Sequence, residues 1–112
     1  MILVTGGAGL IGSNLIKELN DRGQHNILVV DRLRDGQKWM NLRALHYQNY
    51  LHADEVWKTP NIVPWKSLDA VYHMGACSST DETDVDYLIK NNVHFSQMIF
   101  QRCCENHIPL VY

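Results

Sequence analysis

Hydrophobic residues cluster in two short runs, at residues 1–4 and 27–30, and in a third run at 68–74 that polar residues interrupt. Short apolar runs bounded by turn residues are typical of strands buried in a parallel sheet. Between the first two runs, apolar side chains return at the spacing of one helical face, and Gly23 supplies a stop signal. The residues on this predicted face are Leu10, Ile11, Leu15, Ile16 and Leu19.

The middle of the chain has a weaker pattern. Residues 39–50 predict a short helix or a loop, followed by a strand near Leu45. Pro60 argues against a helix through residues 56–62, because proline lacks the N–H that a helix interior needs. This segment is therefore predicted to be an irregular connection, with its tryptophans as packing anchors.

A long amphipathic helix is predicted over residues 82–106, and another strand begins at Ile108. Its apolar face is formed by Val85, Leu88, Ile89, Phe95, Met98, Ile99 and Cys103. Strands that alternate with helices predict an α/β fold. We expect a Rossmann-type parallel sheet with helices on both faces, truncated within the strand that starts at Ile108. Residues 1–112 would form the N-terminal part of one such domain.

Glycines follow the first predicted strand at a spacing of three, as Gly6, Gly9 and Gly12. This pattern is typical of a turn that binds a pyrophosphate. Gly6 would allow a tight turn, Gly9 would let the backbone approach the phosphates, and Gly12 would let the helix pack closely against the strand. The helix that follows points free N–H groups at the anion. Asp31, at the end of the second strand, is where a dinucleotide site places its ribose-binding acid. The alternative is a glycine-rich turn that binds no ligand.

Three basic residues, Arg32, Arg34 and Lys38, follow Asp31. Asp31 alone favours the free 2′-hydroxyl of NAD, whereas a nearby arginine accommodates the 2′-phosphate of NADP. A solvated charged loop is the alternative. Because the cluster lies downstream of the glycine turn, we predict a phosphate-binding role.

The run at 68–74 leads into small and hydroxylated residues at 75–80. Ligands of an open parallel sheet bind beyond the carboxyl ends of its strands, so this loop is predicted to contact the cofactor. It also suits the N-terminal cap of the next helix. Cys77 follows His73 by four residues, yet nothing identifies a base beside it, and a small buried hydrophobic role is favoured over a nucleophile.

Composition limits the possible functions. The chain has 112 residues and a formal net charge of −2, which gives no indication of a nucleic-acid partner. No apolar run has the ~20 residues of a membrane span. Three cysteines, two of them adjacent, do not suggest a disulfide framework, and a reducing, cytoplasmic location is expected. The six histidines are scattered without metal-ligand spacing, so no metal site is predicted.

The glycine motif at 5–14 (TGGAGLIGSN), followed by LVVD at 28–31, resembles the extended short-chain dehydrogenase/reductase superfamily. Within it, the chain resembles the ADP-L-glycero-D-manno-heptose 6-epimerase family. This closer resemblance rests on DGQKW at 35–39, NL at 41–42, HMGACSST at 73–80 and the pair Asn91-Asn92. The segment HMGACSST is the most specific of these. The resemblance spans nearly the whole chain but only the N-terminal third of the family's usual length.

The resemblance implies an isomerase of nucleotide-sugar and lipopolysaccharide core biosynthesis. Such an enzyme holds NADP tightly, oxidises C6″ of ADP-heptose to a carbonyl and returns the hydride to the opposite face. The resemblance also implies that the full-length enzyme is a homo-oligomer. The cofactor-binding residues carried over by the resemblance are Leu10, Ile11, Asp31, Arg32, Lys38, Met74, Gly75, Ala76, Cys77, Ser78 and Asn91.

Two departures from the family pattern accompany this resemblance. Residues 47–50 read Tyr-Gln-Asn-Tyr in place of Ile-Ala-Asp-Tyr, and Ala53 stands where a family lysine falls, so no site residue is assigned there. The sequence also contains no Tyr-x-x-x-Lys pair, and we therefore assign no catalytic residue and expect this chain alone to be inactive. The alternatives are another nucleotide-sugar epimerase or 4,6-dehydratase, and a non-catalytic NADP(H)-binding module.

Overall fold

A computed structural model describes residues 1–34, 36–75 and 84–112, apart from the side chains at 87, 88, 90 and 91. Within these residues, five parallel strands form one sheet in the order β3-β2-β1-β4-β5. They are β1 (Ile2–Thr5), β2 (Ile27–Asp31), β3 (Asn49–His52), β4 (Ala70–His73) and β5 (Leu110–Val111). This strand order, with the chain crossing over by helices, confirms the predicted Rossmann-type fold.

Helices cover both faces of the sheet, because the strands bury side chains on both sides. Helix α1 (Leu10–Asp21) packs Ile16 against Val4 and Val29 on one face. On the other face, α2 (Ala53–Lys58) and α4 (Phe95–Glu105) pack around Leu3 and Val71. Successive strand residues therefore point to opposite layers, as a doubly covered parallel sheet requires.

The first turn of α1 departs from the predicted apolar face. Leu10 and Ile11 are 77% and 71% exposed, whereas Gly12, Ser13 and Ile16 are buried. The helix begins at Leu10, beyond the end of β1, so its first turn has no strand beneath it. Leu10 and Ile11 therefore lie above the carboxyl edge of the sheet rather than in the core.

The middle of the chain was predicted least accurately. The strand expected near Leu45 is absent there; β3 lies at Asn49–His52, after a 3₁₀ turn at Lys38–Asn41. Leu42 is buried against the α1 layer, which explains why this apolar stretch is not a strand. The predicted interruption at Pro60 is confirmed, because α2 ends at Lys58 and a 3₁₀ turn begins at Pro60. Helix α2 itself was not predicted.

The prediction of one continuous α-helix over residues 82–106 is wrong in the part that the structure describes, because the helical periodicity changes along it. The described part consists of α3 (Val85–Leu88), a π-helical segment (Ile89–His94) and α4. A π turn contains more residues than an α turn, so it rotates the residues that follow. Val85 and Ile89 are consequently exposed, although both were assigned to the buried face.

The helical phase of α4 can be tested with two of its neighbouring residues. Ile99 is fully buried, whereas Phe100 is 58% exposed. We expect Ile99→Ala to lower the free energy of unfolding by about 2–5 kcal/mol, as is usual for a buried aliphatic truncation. Phe100→Ala should change it by no more than about 0.5 kcal/mol, as is usual at the surface. Urea unfolding of the full-length protein measures both, and a larger loss for Phe100→Ala would contradict the assigned helix phase.

Candidate cofactor site

The carboxyl ends of β1, β2 and β4 meet beside the glycine loop at residues 6–9. The Gly6 amide donates to the Val30 carbonyl oxygen at 2.7 Å, and the Gly9 amide donates to the Gly6 carbonyl oxygen at 3.1 Å. Helix α1 begins with Gly9 as its N-cap, without a side-chain cap and without an acidic residue in its first turn. The partial positive charge of this helix end is therefore available to an anion, as the glycine pattern predicted.

Two glycines of the loop leave no room for a side chain. Gly6 has a φ of +67°, and a Cβ on it would lie 2.7 Å from backbone atoms of Met74 and Gly75. A Cβ on Gly12 would lie 2.2 Å from the Gly6 carbonyl oxygen. The turn at Gly6 and the close helix packing at Gly12 are thus as the sequence predicted. The role of Gly9 in approaching phosphates stays a prediction.

Asp31 is a buried carboxylate that holds the glycine loop to the end of β2. It is 6% exposed. Its Oδ2 accepts from the Ala8 amide at 2.8 Å, and its Oδ1 accepts from Lys38 Nζ at 2.6 Å. The Arg32 amide donates to the same Oδ1, at 2.6 Å. Asp31 therefore lies where the sequence predicted the ribose-binding acid, with both of its oxygens engaged by the protein.

Two of the predicted basic residues gather at this end of β2. The Lys38 side chain is 40% exposed, so its ammonium group is paired with Asp31 and still reaches solvent. Arg32 has a more buried side chain, 12% exposed, and its guanidinium lies 3.0 Å from Asp54 Oδ1 in α2. Lys38 is thus the more accessible of these two cations.

Two residues to which the sequence analysis assigned no site role complete this side of the site. Asn41 Nδ2 donates to the Ala8 carbonyl oxygen at 2.8 Å. The Tyr50 hydroxyl donates to the Asp31 carbonyl oxygen at 2.7 Å. Burial, and then the nearby Asp31 carboxylate, raise the pKa of Tyr50, so the hydroxyl keeps its proton. Tyr50 falls in the stretch from which no site residue was assigned.

The loop after β4 contacts the glycine loop directly. The Met74 amide donates to the Thr5 carbonyl oxygen at 3.0 Å, and the Gly75 amide donates to Thr5 Oγ1 at 3.2 Å. Met74 and Gly75 are therefore held beside the glycine loop, and their contact with a cofactor stays a prediction. Ala76, Cys77 and Ser78 lie outside the described residues. Asn91 belongs to the π-helical segment, and its side chain is also outside the description.

A hydrogen-bonded chain of side chains lies beneath this loop. Thr5 Oγ1 is 2.5 Å from His73 Nδ1, and His73 Nε2 is 2.7 Å from Ser96 Oγ. Burial lowers the pKa of His73, which favours the neutral imidazole. The sequence had left the orientation of His73 open and gave no signal for Ser96.

The described part of the chain contains neither a metal-binding cluster nor a membrane-spanning helix. No group of three or more His, Cys, Asp or Glu side chains there is arranged to hold a metal ion. None of the helices found there combines the length and the apolar character needed to cross a membrane.

Comparison with known sequences gives a family model and a curated relative that match this chain. A family model described as the NAD dependent epimerase/dehydratase family matches residues 2–112. The whole chain aligns at 40% identity with the ADP-L-glycero-D-manno-heptose-6-epimerase of Fusobacterium nucleatum. The alignment covers 34% of that protein, so this chain spans about a third of its curated relative.

Comparison with solved structures gives the same fold. The crystal structure of Helicobacter pylori ADP-L-glycero-D-manno-heptose-6-epimerase matches with a TM-score of 0.81 and 22% identity, over 99% of this chain and 37% of that one. The Bordetella bronchiseptica enzyme WbmG, in complex with NAD and UDP, matches with a TM-score of 0.73 and 27% identity. That match covers 96% of this chain and 34% of WbmG.

Proposed function

Because the chain belongs to the NAD dependent epimerase/dehydratase family, we propose that it is the NADP-binding part of an ADP-L-glycero-D-manno-heptose 6-epimerase. The observation that carries the proposal is the cradle formed by Gly6, Gly12 and Gly75, in which Gly6 faces the backbone of Met74 and Gly75, and Gly12 faces the backbone of Gly6 and Gly7. The 40% identity to the Fusobacterium nucleatum enzyme supports the heptose substrate.

The residues present fit a dinucleotide. The uncapped start of α1 offers N–H groups to a pyrophosphate, and the exposed side chains of Leu10 and Ile11 offer apolar surface beside it. Asp31 and Lys38 stand at the end of β2, where the adenosine ribose of such a ligand lies. The described residues that we propose to hold the cofactor are Gly6, Gly9, Leu10, Ile11, Gly12, Asp31, Arg32, Lys38, Met74 and Gly75.

The proposed reaction inverts C6″ of ADP-D-glycero-D-manno-heptose by oxidation and re-reduction. Reversible hydride acceptance is what bound NADP would supply. This chain's own part is to bind and orient the cofactor, since the sequence contains no Tyr-x-x-x-Lys pair to move the hydroxyl proton. We propose that these 112 residues alone give no turnover.

Two contacts support NADP rather than NAD as the cofactor. The Asp31 carboxylate already accepts from Ala8 and Lys38, so it is partly neutralised and less repulsive towards a 2′-phosphate. The Lys38 side chain is partly exposed beside it, and its ammonium group, which donates to Asp31 at 2.6 Å and to the Arg32 carbonyl oxygen at 3.5 Å, keeps an N–H donor for that phosphate. Lys38 is therefore proposed as the main selectivity residue.

Lys38→Ala is expected to weaken NADP binding about 10- to 100-fold, because a charge-assisted hydrogen bond to the 2′-phosphate is lost. Binding of NAD, which lacks that phosphate, should weaken much less. Isothermal titration of the full-length protein with both dinucleotides gives the ratio of their dissociation constants. Lys66→Ala, at an exposed position away from the site, is the matched control. Equal losses for both dinucleotides would remove Lys38 from selectivity.

The substrate is tested by turnover of the full-length protein. ADP-D-glycero-D-manno-heptose should be epimerised at C6″, as followed by NMR, while UDP-sugars should not react. Turnover of a UDP-sugar would instead favour a 4-epimerase or a 4,6-dehydratase. Tight NADP binding without turnover of any sugar nucleotide would favour a non-catalytic binding module.

We also propose a cytoplasmic location and a homo-oligomeric full-length enzyme. In the part of the chain that the structure describes, the thiols of Cys103 and Cys104 are free, as is usual in a reducing compartment. Fractionation of cells and light scattering of the full-length protein test the two proposals separately.

A further inference from the structure

The side chains of Thr5, His73 and Ser96 join three elements beneath the proposed cofactor site. Thr5 ends β1, His73 ends β4 at the paired register position, and Ser96 lies in the first turn of α4. His73 bridges the other two, with its Nδ1 at 2.5 Å from Thr5 Oγ1 and its Nε2 at 2.7 Å from Ser96 Oγ. Thr5 is 1% exposed, whereas His73 and Ser96 are half-buried.

The same threonine holds the loop after β4. Its Oγ1 accepts from the Gly75 amide at 3.2 Å, and its carbonyl oxygen accepts from the Met74 amide at 3.0 Å. Gly75 in turn faces Gly6 so closely that a Cβ on Gly75 would lie 3.0 Å from the Gly6 amide nitrogen. A continuous path of contacts therefore leads from α4 through His73 and Thr5 to the glycine loop.

We propose that His73 is a positioning residue that ties α4 to the loop after β4 and thereby fixes Gly75 against Gly6 in the cofactor cradle. The link to cofactor binding rests on the proposed function. The link from Ser96 to Gly75 is independent of it, because it concerns the ligand-free protein.

The donors and acceptors along the path are consistent with a neutral imidazole. The Gly75 amide donates to Thr5 Oγ1, which leaves the Thr5 hydroxyl proton to be donated to His73 Nδ1. The protonated Nε2 then donates to Ser96 Oγ. Loss of the Ser96 hydroxyl removes the acceptor that holds the ring in this orientation.

The test compares Ser96→Ala with Ser96→Thr, which keeps the hydroxyl, and with Gln97→Ala at the next, exposed position of α4. We expect hydrogen exchange of the Gly75 amide, measured by NMR on the ligand-free full-length protein, to become about tenfold faster in Ser96→Ala. The rate should return towards that of the wild type in Ser96→Thr and stay unchanged in Gln97→Ala. The dissociation constant for NADP should rise several-fold in Ser96→Ala alone.

Unchanged exchange at Gly75 in Ser96→Ala would overturn the proposal. His73→Gln, which retains a donor and an acceptor, supplies a second variant. It should accelerate hydrogen exchange of the Gly75 amide less than His73→Leu does. If Gly75 responds as expected but the wild-type protein does not bind NADP, the positioning role stands and the proposed cofactor fails. If NADP binds and Gly75 does not respond, the proposed function stands and the positioning role fails.

Discussion

Gly12→Ala is expected to abolish measurable dinucleotide binding and to destabilise the fold. The new Cβ would lie 2.2 Å from the Gly6 carbonyl oxygen and 2.8 Å from Gly7 Cα, so it meets backbone rather than a flexible side chain. The start of α1 must then move away from the glycine loop. We expect a loss of about 3 kcal/mol in the free energy of unfolding, at the upper end of the usual effect of overpacking. The dissociation constant for NADP should rise by more than about 100-fold, because the phosphate-facing amides move with the helix.

Two other glycines provide graded controls for this prediction. A Cβ on Gly36 would have no neighbour within 4 Å among the described residues, so Gly36→Ala should bind NADP like the wild type. A Cβ on Gly9 would lie 3.3 Å from the Gly6 carbonyl oxygen, which predicts an intermediate effect. Titration with NADP and thermal unfolding of the full-length variants measure binding and stability separately. Wild-type affinity in Gly12→Ala would show that close packing at this position is not required.

The sequence pattern predicted the two fully buried strands, β1 and β2, and missed β3. The strands at 2–5 and 27–31 are buried throughout, so their apolar runs are unambiguous. β3 contains Asn49 and His52, lies at the edge of the sheet and is only partly buried. Its position follows from pairing with β2 rather than from its own composition.

The candidate site also has a part that the sequence predicted and a part that it did not. Gly6, Gly12 and Asp31 were predictable because their roles depend on spacing along the chain. The contact of Asn41 with the glycine loop spans 33 residues, and the contact of His73 with Thr5 spans 68. No local pattern encodes which polar side chains meet over such separations. These contacts required the three-dimensional arrangement of the sheet.

Asp31→Ala tests the buried carboxylate at the centre of that arrangement. The substitution leaves the Ala8 amide without its acceptor and Lys38 without its 2.6 Å partner. An unsatisfied buried donor and a broken ion pair together predict a loss of about 3–4 kcal/mol in the free energy of unfolding. Asp31→Asn keeps an oxygen for Ala8 but loses the charge that Lys38 requires, so its loss should be about half as large. Urea unfolding of the full-length variants measures these differences.

Asp69 offers a matched control, because it also forms an ion pair at 2.7 Å, with the N-terminal amino group, but its side chain is 79% exposed. Water screens such a pair, so Asp69→Ala should lower the free energy of unfolding by less than about 1 kcal/mol. The difference between these two losses in the free energy of unfolding then measures the effect of burial and of the Ala8 contact. Equal losses at the two positions would show that Asp31 does not hold the glycine loop. A large loss confined to Asp31 would show that one carboxylate both stabilises the fold and shapes the cradle, since it joins β2 to the loop that the cofactor is proposed to contact.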